Sequence, residues 1–177
     1  MLCLKRTGTY YRVYKPDWDD PLDTSYAKRS TTNRWNPPEE FGALYLNRTL
    51  AVAAANARRQ HAGRAIGLFD LKPGRRPWLL CLSIPRSRVL DVVTAAGIAH
   101  VRLPRNYPYN VSVERCWPTA RRAYQDASIA GVACRSAAEC TATTWIGEEL
   151  AWFDRSPRLR ENGPRMPFDH WYPDVKP

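Results

Sequence analysis

Between Asn33 and Arg59 the chain reads NRWNPPEEFGALYLNRTLAVAAANARR, and few backbone paths satisfy that order of residues. Asn36-Pro37-Pro38 has to turn, because proline fixes φ and removes a backbone N–H. FGALYL (41–46) is a compact apolar run of strand length, which predicts a buried strand. Thr49 can then N-cap a helix through LAVAAANARRQHAG, with Gly63 as terminator. Alanine is the best helix former, and its small size permits close packing. Tyr45 and Asn56 are eleven residues apart, across a strand end, a turn and the start of the helix. A helix folded back on the strand brings the two together at the floor of a small-molecule pocket. Asn56 is the odd residue there, since asparagine is a poor helix former in a helix interior. It is either a surface or locally capped asparagine, or a polar group aimed into the pocket mouth.

The remaining chain supplies walls for that unit. YYRVYK (10–15) reads as a strand carrying Arg12, which is a solvent-facing arginine or an anion clamp. Residues 16–33, with two prolines and four aspartates, predict a long loop that could cover a ligand. RAIGLFDL (64–71) and WLLCLSI (78–84) read as strands, paired as a hairpin across the basic turn PGRRP. Residues 87–91 predict a short helix or a strand-to-helix switch, and 102–118 look irregular. PTARRAYQDASIA (118–130) predicts a helix with Pro at its start and Ala120, Ala123, Tyr124 and Ala127 as its packing face. GVACRSA (131–137) reads as a strand ending at Ser136, and 141–147 and 149–154 are further strand candidates. The expected organisation is one domain over 1–154 with an extended tail over 155–177. Phe168, Trp171 and Tyr172 are able to pin that tail back.

The formal charge of +10 suits an anionic ligand or partner, or simply a solubilising surface. A basic nucleic-acid binder is one alternative, but the arginines are spread rather than gathered, and no recognition helix or RNP-like motif is present. Five cysteines without CxxC spacing fit neither a disulfide framework nor a zinc site, so no metal is expected. No apolar run is long enough to cross a bilayer and no signal-peptide pattern opens the chain, which predicts a cytoplasmic protein without membrane association. There is no Walker loop, GxGxxG or HExxH. His61, His100 and His170 lack paired spacing, and nothing resembles a nucleophile elbow.

Three segments, YYRVY (10–14), RWNPPEEFGALYLNRTLAVAAAN (34–56) and GVACRSA (131–137), resemble the RES domain family, named for its Arg, Glu and Ser. The resemblance implies a compact single α+β domain, ADP-ribosyltransferase-like, with a central mixed or antiparallel sheet and flanking helices. It also implies a bacterial toxin that degrades NAD+ by phosphorolysis or hydrolysis of the nicotinamide–ribose bond. NAD+ would then be substrate rather than prosthetic group, phosphate a candidate co-substrate, and an Xre-type antitoxin the usual protein partner. Carried over residue by residue, Arg12 and Arg34 match arginines that could hold the pyrophosphate bidentately. Tyr45 matches a tyrosine that could stack on nicotinamide or bond its ribose. Ser136 matches the serine that could bind the ribose or the nicotinamide amide.

The family's glutamate, eleven residues after that tyrosine, is Asn56 in this chain. Cleavage develops positive charge on the sugar, which a carboxylate stabilises and an amide does not. Losing such a preorganised group costs roughly 3–4 kcal/mol, two to three decades in rate. Activity is then weak, or another acid substitutes, or the protein is a nucleotide- or protein-binding module without turnover. Glu39, Glu40, Glu148 and Glu149 are the candidate substitutes. Glu149 begins a strand after the serine segment, where the plainest expectation is a surface acid at a strand edge.

Overall fold

The computed structural model describes residues 1–172. The expected tail residues 173–177 lie outside the described residues. The elements that build the sheet are β1 (Cys3–Tyr14), β2 (Ala43–Asn47), β3 (Trp78–Val92), β4 (Gly131–Arg135), β5 (Glu148–Phe153) and β6 (Arg160–Glu161). The helices are α1 (Ser25–Arg29), α2 (Leu50–His61), α3 (Ala95–His100), α4 (Trp117–Gln125) and α5 (Phe168–Trp171).

The strands are ordered β1-β2-β5-β4-β3-β6, and β1 also pairs with β3, so the first five close on themselves. Among the described residues only the β3–β4 pairing is parallel. This is the mixed, mostly antiparallel α+β sheet with flanking helices that the resemblance implies. One face of the strands packs Leu90, Val92, Val132, Cys134, Ala151 and Phe153 against α3 and α4. The opposite face gathers Tyr10, Leu44, Leu46, Leu80, Leu82, Leu150 and Trp152. Ala53, Ala54 and Ala57 of α2 lie against Phe168, Trp171 and Tyr172, so the alanine-rich helix is covered by the aromatic C-terminal segment.

Several expectations are corrected. Residues 64–71 form no strand and no hairpin with 78–84. The Asp70 carboxylate accepts the Gly67 N–H at 3.0 Å and closes a local turn, while β3 gives its partner edge to β1 from Trp78 to Leu90. Residues 87–91 are likewise strand rather than helix, because Cys3–Arg6 extends β1 alongside Ser87–Leu90. The register shifts between Arg6 and Gly8, and Gly8 takes the positive φ that this bulge requires. The 141–147 candidate is a loop closed by Thr141, whose hydroxyl accepts the Thr144 N–H at 3.0 Å. α4 stops at Gln125 because the Asp126 carboxylate captures the Ser128 N–H and hydroxyl, leaving Ala127 exposed. β1 and β2 share a single paired position, Tyr11 with Asn47, and then part. The opening between them positions the site.

Candidate active site

Period-two alternation divides β2 cleanly. Leu44 and Leu46 enter the core, while Ala43, Tyr45 and Asn47 face a cleft of about 1000 Å³. Register then sets the row beside Asn47. Asn47 pairs with Glu149 of β5, and Glu149 pairs with Cys134 of β4. Those three side chains stand side by side along the cleft floor. Above them runs α2, capped as expected by the Thr49 hydroxyl, which accepts the Val52 N–H at 3.3 Å. Asn56, Arg59 and Gln60 of α2 line the cleft at helical spacing.

Asn56 is therefore a site residue. Its amide nitrogen donates to Asn47 Oδ1 at 2.8 Å, to Glu149 Oε1 at 2.9 Å and to its own helix at Val52 O, 3.3 Å. Ser136 follows the end of β4, is fully buried and does not itself line the cleft. It reaches the floor through Glu149, donating to Oε1 at 2.5 Å. Glu149, Asn56 and Ser136 thus form one hydrogen-bonded cluster. Of the other acids weighed, Glu148 faces the opposite way and is taken by Arg6 and Tyr10, and Glu40 is taken by Arg121. Glu39 is exposed at a left-handed turn position. The strand parity that aims Glu149 inward is visible in ELAWFD, but its neighbours are set by register, which no local pattern announces.

Tyr45 is held by its hydroxyl, which donates to Asn36 Oδ1 and accepts the Trp35 N–H, each at 2.9 Å. Burial pushes this phenol well above its ordinary range, so at neutral pH it is a neutral donor and not a base. Asn36 and Trp35 are partners that sequence reasoning missed. Tyr45→Phe leaves the Trp35 N–H without its acceptor. We expect a loss of about 1–3 kcal/mol in chemical denaturation, and an unchanged midpoint would show that the clasp contributes nothing.

The two arginines differ. Arg12 is buried, and it is committed to backbone carbonyls. Nε donates to Pro21 O at 2.5 Å and Nη1 to Tyr45 O at 3.3 Å. Burial lowers it to about 10, which still leaves it charged at neutral pH. Arg34 is only half-buried and donates one bond, from Nη2 to Val111 O at 3.3 Å. Its Nε has no hydrogen-bond partner among the described residues, and neither has the Tyr107 hydroxyl. Both residues line the cleft, although these two atoms are themselves buried. Arg135, which sequence reasoning also missed, lines the same wall and donates to Val93 O at 2.9 Å. The 16–33 segment, expected to be all loop, holds α1 and forms the rim, where Trp18 lies parallel to Tyr26 of α1, and where Asp17, Asp19, Asp20 and Asp23 add negative charge.

No group of three or more metal-ligating side chains is gathered among the described residues. No helix among them is long and apolar enough to cross a membrane. The family model described as RES domain matches residues 9–170. A search of curated proteins finds no match. Among solved structures, the fold is similar to a chain of the M. tuberculosis MbcT–MbcA toxin–antitoxin complex, with a TM-score of 0.73 and 20% identity. The likeness covers 91% of this chain and 84% of that chain.

Proposed function

Since the chain belongs to the RES domain family, we propose that it is a toxin of that family which degrades NAD+ by cleaving the nicotinamide–ribose bond. The observation that carries this reading is the shared cleft. Arg34, Tyr45, Asn56 and Glu149 line one hollow, with Ser136 tied to its floor through Glu149. Arg34 lines the cleft with a guanidinium held by one bond of 3.3 Å, which suits it to the pyrophosphate. Tyr45 and the Trp18–Tyr26 pair offer aromatic faces to nicotinamide and adenine.

In the reaction the bond between ribose C1 and the nicotinamide ring nitrogen breaks, and its electron pair leaves with that nitrogen. An oxygen of water or inorganic phosphate forms the new bond to C1, and the acceptor's proton passes to solvent. The protein's task is to hold the ring and the pyrophosphate so that the sugar is exposed to attack. Purified protein mixed with NAD+ is expected to release free nicotinamide, followed by chromatography with and without inorganic phosphate. ADP-ribose as the other product indicates hydrolysis, and its phosphorylated form indicates phosphorolysis. Intact NAD+ under both conditions sinks the proposal. Growth arrest on expression without a cognate antitoxin, in a cytoplasmic setting, belongs to the same reading. The partner expected is an Xre-type antitoxin.

A second reading is favoured by Asn56 alone: a module that binds a nucleotide or a protein partner without turnover. It predicts saturable NAD+ binding by calorimetry with no nicotinamide released.

A further inference from the structure

With an amide at position 56, the cleft needs some other source of negative charge beside the reacting sugar. We infer that Glu149 is the carboxylate that stabilises the transition state, the charge having changed sides across the floor of the cleft. This rests on the NAD+-cleavage reading of the same site.

The two side chains touch, Asn56 Nδ2 lying 2.9 Å from Glu149 Oε1, so the exchange moves the charge only across one hydrogen bond. The way Glu149 is held matters as much as where it is. Its Oε1 accepts from Ser136 Oγ and from Asn56 Nδ2, both neutral donors. Such bonds fix the carboxylate's direction without cancelling its charge. Glu148, one residue earlier, is the contrast. Arg6 grips both its oxygens, at 2.8 and 2.6 Å, and its field is spent on that cation. Among the described residues nothing donates to Glu149 Oε2, and the residue lines the cleft. That oxygen is the one left for a sugar hydroxyl or for the charge developing at C1. The remaining acids of the cleft, Asp17, Asp19, Asp20 and Asp23, sit on the 16–33 loop at the rim rather than on the floor. Ser136 becomes a positioning residue, acting on the substrate through Glu149.

The test compares wild type with Glu149→Gln, Asn56→Glu and the double variant, all assayed on NAD+. Glutamine at 149 can still accept from Ser136 and Asn56 through Oε1, so the fold and the cleft are kept while the charge is lost. Glu149→Gln is expected to lower kcat by about 10²–10³-fold, with KM for NAD+ within a few-fold and thermal unfolding unchanged. Asn56→Glu alone sets two carboxylates in contact, which then share a proton, and is expected to gain nothing over wild type. The double variant restores a single charge at position 56 and is expected to recover at least about tenfold over Glu149→Gln. A Glu149→Gln protein that keeps kcat within about threefold of an active wild type overturns the assignment while leaving the cleavage reading intact. So does a double variant no better than Glu149→Gln. A wild type that releases no nicotinamide overturns the cleavage reading, and this inference with it.

Discussion

Arg34→Ala is expected to weaken NAD+ cleavage by roughly 30- to 150-fold in kcat/KM, carried mainly by KM. The magnitude is that of a charged hydrogen bond to the pyrophosphate, about 2–3 kcal/mol. The pyrophosphate is equally charged in substrate and transition state, so the loss is one of uniform binding. The fold has little stake in this side chain. Among the described residues Arg34 donates one bond of 3.3 Å, and its buried Nε has no partner. Initial rates over a range of NAD+ concentrations separate the two parameters. An unchanged KM sinks the role given to Arg34. A fall confined to kcat moves Arg34 to the reacting bond, the place assigned to Glu149.

Gly131→Ala is expected to destabilise the protein by about 3 kcal/mol, at the upper end for an overpacked core. For a chain of this size that lowers the unfolding temperature by roughly 6–12 °C. Gly131 opens β4 opposite Trp152 of β5. A Cβ there would stand 2.3 Å from Ala151 O and 3.1 Å from Trp152 Cα, both backbone atoms that cannot swing aside. The two strands would have to part. Because β5 carries Glu149, activity is expected to fall along with stability. Gly74→Ala is the control, since its Cβ would meet nothing within 4 Å, and it is expected to stay within about 0.5 kcal/mol of wild type. Equal unfolding temperatures for the two variants would show that β4 and β5 are not packed as described.

What the sequence revealed and what it hid divide along the range of the interactions. The turn, β2, the Thr49 cap and α2 were legible because every signal lies within thirty residues and each acts on its near neighbours. Tyr45 and Asn56 were expected at one pocket, and both line the cleft, though their hydrogen-bond partners differ. The 64–71 strand was misread because a single side chain, Asp70, closes a turn that its apolar neighbours do not suggest. The full length of β3 was missed because it depends on Cys3–Arg6, more than eighty residues away in the chain. Glu149 could be named as an available acid but not seated, since its neighbours Asn47 and Cys134 follow from the pairing of three strands. Arg12 reads from the sequence as either a solvent-facing arginine or an anion clamp. It is buried rather than solvent-facing, and it lines the cleft with its guanidinium occupied by the Pro21 and Tyr45 carbonyls, contacts that no local pattern encodes.

That occupation has a mechanical consequence. Arg12 hangs from β1 and grips the acidic loop with one nitrogen and the tyrosine strand with another, at the point where β1 and β2 diverge. The aperture of the cleft is therefore gauged by the reach of a single side chain. Lysine has no planar fork with which to span two carbonyls at fixed spacing. In its place the gap would take a different width.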